Sequence, residues 1–237
     1  MIPWLHNSTD PFPPHDQALD DPNGLLAAGG GLTQKRLIAA YRSGIFPWYS
    51  PGEPVLWWSP DPRCVLLPSQ LHISRSMRKR LKKKDFEVCF DRNFSAVIDA
   101  CSKPRNDGEG TWITREMKQA YCGLHKQGVA HSVEVYMNNE LVGGLYGIAM
   151  GKLFFGESMF SRSRDASKIA FIKMVEQLAN WGYALIDCQV SNDHLFSLGA
   201  TEIKRNEFLG YLDKYLDTST NHSWRFEEEI PEVDVRQ

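Results

Sequence analysis

Ten of the thirteen prolines lie within residues 1–62, a stretch that also holds the run Gly29-Gly30-Gly31 and the tryptophans Trp4, Trp48, Trp57 and Trp58. Proline fixes φ and removes a backbone donor, so this segment must be built from turns and short elements, with its indoles packed against something else. The spacing predicts one helix in it. Thr33 would be the N-cap, Leu37, Ile38, Ala40 and Tyr41 the apolar stripe, and Gly44 the stop. Residues 1–63 therefore read as a small irregular N-terminal domain leaning on a larger one that spans 64–237.

From Cys64 onward strands and helices alternate, which predicts a layered α/β or α+β arrangement. His131 to Met137 alternates, Asn138-Asn139 turns the chain, Leu141 to Met150 returns, and Gly151-Lys152 turns it again into Leu153-Phe154-Phe155. A helix should follow, capped at Ser163 or Asp165 and ending at Gly182, and then a buried strand from Tyr183 that carries Asp187-Cys188-Gln189-Val190 at its end. Strand, strand, helix, strand is the order of the acyl-transfer core in N-acetyltransferase-like folds.

Composition narrows the function classes. Lys plus Arg at 27 against Asp plus Glu at 29 gives a net charge of −2, so any nucleic-acid face must be local. The five cysteines include no C-x-x-C pair and no His cluster stands beside them, which predicts reduced thiols and no metal. The N-terminus lacks the basic and apolar regions of a signal peptide, and no run is long enough to span a membrane, so a soluble cytoplasmic protein is expected.

The sharpest local signal is RSMRKRLKKK at 75–84. A helix there would put Met77 and Leu81 on the core and leave Arg75, Arg78, Lys79, Arg80, Lys82, Lys83 and Lys84 around the rest. Such a run is often a solvated face, but here like charges repel at i, i+4 with no acid between them, at a cost of a few tenths of a kcal/mol per pair that phosphates would offset. It can position a nucleic acid and cannot read its bases.

Asp187 and Gln189 stand two apart on the expected strand end, so both side chains should share one face and meet one substrate. A carboxylate in that dry setting could bind an amine or take its proton, and the alternative is an Asp that caps the following turn. Glu157 lies among aromatics and should find a partner. Other chemistries fit less well: Phe160 stands where a nucleophile elbow needs Gly, Cys188 with His194 is more simply a buried thiol, and Gly29 to Gly31 has no phosphate-loop spacing. The segment Ser161 to Lys168 has no glycine for close approach to a pyrophosphate, which argues against acetyl-CoA as donor.

The segments GLLAAGGGL (24–32), AYRSGIFPWYS (40–50), WWSPDPR (57–63), GGLYGIAMGKLFFGESMFS (143–161), ASK (166–168) and LIDCQVSNDHLFSLGA (185–200) resemble the leucyl/phenylalanyl-tRNA–protein transferase family. That family moves Leu or Phe from aminoacyl-tRNA to proteins with an N-terminal Arg or Lys. The resemblance implies a small N-terminal domain on an N-acetyltransferase-like (GNAT-like) α+β domain, no cofactor or metal, no membrane association and a monomer. It implies Asp187 and Gln189 at the reaction centre, with Glu157 holding the acceptor's basic residue. Trp48 and Trp112 would flank the terminal adenosine with Tyr41 and Tyr121 nearby, and Leu145, Phe154, Ser161, Met174 and Ile186 would shape the donor side-chain pocket. Leu145 and Met174 replace the Met and Phe of the commonest pattern, both still apolar, so Met joins Leu and Phe as a donor to test. Two rivals are an acetyl-CoA-dependent N-acetyltransferase and an RNA-binding module without catalysis; neither needs both the basic run and the buried carboxylates.

Overall fold

Short strands are what the prolines allow, and the computed structural model, which describes residues 2–83, 85–103 and 112–227, has them. β1 (Trp4–Leu5), β2 (Leu25–Gly29), β3 (Phe46–Pro47) and β4 (Leu56–Trp58) form a small sheet in the order β1-β2-β4-β3. Helix α1 (Gln34–Arg42) joins β2 to β3. Its N-cap is Thr33, whose Oγ1 accepts from the Arg36 N–H, and the chain turns off it at Gly44 with φ of +72°.

The larger sheet has seven strands: β5 (Arg63–Leu66), β6 (Glu87–Phe90), β7 (Ala130–Met137), β8 (Glu140–Met150), β9 (Leu153–Ser161), β10 (Leu185–Gln189) and β11 (Thr201–Ile203), in the order β11-β5-β10-β9-β8-β7-β6. The expected meander is β7-β8-β9. Asn138 and Asn139, both at positive φ, make its first turn, as a two-residue hairpin loop requires. Within this sheet only β9 and β10 pair in parallel, which demands a crossover, and α5 (Ala166–Asn180) supplies it. This is a mixed α+β layout in which strand, strand, helix and strand follow one another in the expected order.

Two details differ from the reading of the sequence. Asp165 occupies the N-cap position of α5 but sits in the left-handed region at φ +65°, and its carboxylate caps nothing. The strand after α5 begins at Leu185, because Tyr183 is drawn aside to pack under the C-terminal segment, where its hydroxyl lies 3.5 Å from His222 Nε2.

The helices cover the sheet on both faces. α5 packs on β7, β8 and β9 from one side; α3 (Phe94–Cys101) and α4 (Arg115–Lys126) pack from the other. Strand alternation sorts the core accordingly. Leu145, Phe154 and Ile186 face α5, whereas Tyr146, Phe155 and Leu185 join Phe94, Tyr121 and the N-terminal residues Leu37, Tyr41 and Trp57. The small sheet and the large one thus share one core through α1, α4 and α7 (Arg205–Tyr215). Helix α2 (Arg75–Leu81) stays outside it, capped by Ser74 and anchored by Met77, and α6 (Asp193–Ser197) follows β10. Among the described residues no helix is long and apolar enough to cross a membrane.

Candidate active site

The site forms where β9 and β10 stop pairing. Their ladder runs Leu185 with Leu153, Ile186 with Phe154 and Asp187 with Phe155, and the strands carry no further pairs. At this level each strand is bulged against its outer neighbour. On β9, Tyr146 pairs with Ser158 and Gly147 with Gly156, so Glu157 is the extra residue. On β10, the register to β5 shifts between Asp187 and Gln189, and Gln189 lies at φ +65°. A bulge re-aims the side chain it carries.

Asp187 accordingly does not share a face with Gln189. It is fully buried and receives a two-pronged ion pair from Arg63, with Nε on Oδ1 at 2.8 Å and Nη2 on Oδ2 at 2.7 Å. The Gln189 backbone N–H also donates to Oδ1, at 2.9 Å. The guanidinium lies over the rings of Phe46 at 4.7 Å and Phe208 at 4.5 Å. A substrate therefore has no surface of Asp187 to touch, and its place is beneath the site.

Glu157 is the carboxylate that meets the opening. Tyr41 donates to Oε1 at 2.6 Å, Tyr121 to Oε2 at 2.7 Å and Gln189 Nε2 to Oε1 at 3.1 Å, while the two tyrosine oxygens lie 2.6 Å apart. Burial among these rings pushes the carboxyl up to about 7, against the opposing pull of the three donors. Both phenols are pushed well above their ordinary range, first by burial and then by the Glu157 charge.

A cavity of about 600 Å³ opens from here. Its lining is largely apolar, with Leu145, Phe154, Met159, Phe171, Met174, Ile186 and Leu195, and also includes Glu157, Gln189, Trp112 and Asp193. Of the expected pocket residues, Leu145, Phe154, Met174 and Ile186 are thus brought together. Ser161 is not among the lining residues. It is exposed, its Oγ donating to Ser163 O at 2.8 Å and accepting from Ser167 N–H at 3.3 Å, so it shapes the turn into α5. Trp48 is 45% exposed and leans on Trp58 at 5.7 Å between centroids, away from the cavity wall.

Cys188 does not pair with His194 as a nucleophile would need. A thiol contact with Cys64 and burial push it well above its ordinary range, and its Sγ lies 3.9 Å from Ile186 O. In the basic run the helix stops at Leu81, short of the lysines at 82–84; Arg75, Arg78, Lys79, Lys82 and Lys83 are exposed; Arg80 is held by Asp85 at 2.5 Å and by the Phe86 ring; Lys84 lies outside the described residues.

The family model described as leucyl/phenylalanyl-tRNA protein transferase matches residues 65–213, and the model of that family's N-terminal domain matches residues 30–61. The chain belongs to this family. A leucyl/phenylalanyl-tRNA–protein transferase from Pseudomonas putida is 58% identical over 225 residues, covering 95% of this chain and 100% of the relative. One from Pseudomonas aeruginosa is 58% identical over 217 residues, covering 92% and 96%. Among solved structures, a GCN5-related N-acetyltransferase from Kribbella flavida aligns with a TM-score of 0.39 at 10% identity, over 70% of this chain and 59% of that one. The chain is thus a transferase, and Tyr41, Tyr121, Glu157 and Gln189 form one hydrogen-bonded network within it.

Arg63 and Asp193 carry no motif signal of their own. Arg63 closes WWSPDPR, and a lone Arg at the head of a four-residue strand RCVL that is otherwise apolar is the one hint that a buried anion awaits it.

Removing one member of the buried pair strands the other. Arg63→Met or Asp187→Leu alone should cost about 3–5 kcal/mol in urea unfolding, and the double variant should recover most of that loss. Glu157 generates a pH dependence of opposite hand to that of an ion-paired carboxylate. Its folded-state value lies above the unfolded one, so the native state binds more protons between the ordinary 4.5 and about 7, and stability should fall as pH rises through that window. Urea midpoints measured across it should be flatter for Glu157→Gln.

Proposed function

We propose that the protein transfers Leu or Phe, with Met as a third donor to test, from aminoacyl-tRNA to the α-amino group of proteins that begin with Arg or Lys. The acceptors are thereby marked for N-degron proteolysis in the cytoplasm. The observation that carries this reading is the cavity itself: an apolar wall that can receive an aliphatic or aromatic side chain, beside a carboxylate and an amide able to receive an ammonium.

An aminoacyl ester is already activated and an α-amine is a competent nucleophile once deprotonated, so orientation, proton removal and charge stabilisation suffice. In this reading the donor side chain lies against Leu145, Phe154, Met174 and Ile186. The acceptor's N-terminal nitrogen lies by Glu157 and Gln189, and its basic side chain reaches toward Asp193 in the same lining. Trp112, which lines the cavity, stacks on the terminal adenosine in this reading, with Trp48 further out along the same donor. Asp187 acts through Gln189: the Arg63 pair and the bond from the Gln189 N–H fix the bulge that turns the Gln189 amide to Glu157. The exposed cations of α2 hold the tRNA backbone.

The test is a transfer assay read by mass. An Arg-initiated peptide should gain one Leu or Phe from the charged tRNA, and nothing from acetyl-CoA or from free leucine with ATP. Binding of tRNA without product would favour an RNA-binding module instead. The role of the basic run has its own signature. Lys82→Glu with Lys83→Glu should raise KM for whole aminoacyl-tRNA and flatten its log–log salt dependence by about 0.7–0.9 for each phosphate no longer neutralised. The rate with aminoacyl-adenosine should hold, because exposed charges are screened within ~8–10 Å.

A further inference from the structure

The transfer reaction releases a proton, and the arrangement around Glu157 has a place for it. Three oxygen pairs lie at hydrogen-bond distance: Tyr41 with Glu157 Oε1 at 2.6 Å, Tyr121 with Glu157 Oε2 at 2.7 Å, and Tyr41 with Tyr121 at 2.6 Å. Two phenols bring two protons. With Glu157 ionised, three contacts share two hydrogens, and whichever way the hydroxyls turn one pair of oxygens faces each other bare. One more proton on the carboxyl completes the set head to tail: Glu157 donates to Tyr41, Tyr41 to Tyr121, and Tyr121 back to the other oxygen of Glu157.

We propose that Glu157 is the proton acceptor of the aminoacyl transfer, and that Tyr41 and Tyr121 form with it a ring of three hydrogen bonds that closes when the proton arrives. The inference rests on the function proposed above and assigns its base. Asp187 is not available for the task, being fully buried with its oxygens held by Arg63 and by the Gln189 N–H. Glu157 keeps an open side toward the cavity, and the Gln189 amide on Oε1 holds the carboxylate square to it.

The step balances without a further reagent. The acceptor arrives as R–NH3⁺ and gives one proton to Glu157; the freed lone pair forms the new C–N bond at the ester carbonyl. When the C–O bond to the ribose breaks, the leaving oxygen takes a second proton from the attacking nitrogen, and the third hydrogen remains on the amide. Glu157 then returns its proton to solvent.

The ionisable groups facing Glu157 are Tyr41 on α1, Tyr121 on α4, Tyr146 on β8 and Asp187 on β10, the last already offset by Arg63. Burial holds the carboxyl up at about 7, which suits a base working near neutrality. Each phenol donates to the carboxylate, so removing one raises the group further.

The experiment is the pH profile of kcat/KM with aminoacyl-adenosine as donor and an Arg-initiated peptide as acceptor. The peptide's own amine contributes one limb common to every variant; the enzyme contributes another. Tyr121→Phe, and independently Tyr41→Phe, should move the enzyme's limb to higher pH, so that the loss in rate is greatest at the acid end of the profile and shrinks as pH rises. Glu157→Gln should abolish that limb, leaving only the amine's, and lower kcat by about 10² with a smaller change in KM. An unmoved limb in both phenylalanine variants, with Glu157→Gln retaining it and transferring at full rate, would overturn the proposal and leave the transfer reaction standing. A wild-type protein that made no aminoacylated peptide would instead remove the reaction on which the proposal rests.

Discussion

One buried ion pair holds the site in place. Arg63 heads β5, Asp187 is the last residue of β10 to pair with β9, and the guanidinium beside it lies over Phe46 from the small sheet and Phe208 from α7. A single contact thus ties together the N-terminal segment, two neighbouring strands and the last helix. Burying two charges is costly, and the compensation is geometric: two guanidinium nitrogens, two carboxylate oxygens and a backbone N–H meet at fixed angles, which apolar side chains could not enforce. That N–H belongs to Gln189, and by bonding Asp187 it stabilises a left-handed residue at the strand end. The direction of the Gln189 amide, and so the setting of Glu157, follows from that.

The two acids of the site differ in what neutralises them. Asp187 faces a permanent cation and belongs to the framework. Glu157 hydrogen-bonds to neutral donors, two phenols and an amide, in apolar surroundings that disfavour its charged form. The apolar wall beside Glu157 serves two ends at once, receiving a hydrophobic side chain and keeping water from the carboxyl.

Much of this is legible in the chain. The meander is written in alternation with an Asn-Asn turn, and α1 in a Thr cap and an apolar stripe, because these are local signals that the backbone obeys directly. Glu157, Tyr41 and Gln189 lie in the family's motifs and Tyr121 follows from the resemblance, though nothing in their spacing says that α1 and α4 bring two phenols to one carboxylate. The spacing of Asp187 misleads for a definite reason. Side chains two apart share a face only on a regular strand, and the bulge that separates Asp187 from Gln189 is enforced by a partner 124 residues away. Ser161 likewise has pocket residues for neighbours in the sequence, while its hydroxyl is committed to the turn that launches α5.

The span of that ion pair also bears on how the chain is made. Arg63 leaves the ribosome 124 residues ahead of Asp187, and at about 5–20 residues per second the interval is on the order of ten seconds. Through it the small sheet has a cation that it cannot bury and an α1 whose inner face still lacks Phe155 for most of that time. Its strands are too short to stand alone. The nascent N-terminal segment is therefore a waiting partner, and the sheet closes around Arg63 only after β10 has been synthesised and the last third of the chain folds back to the first.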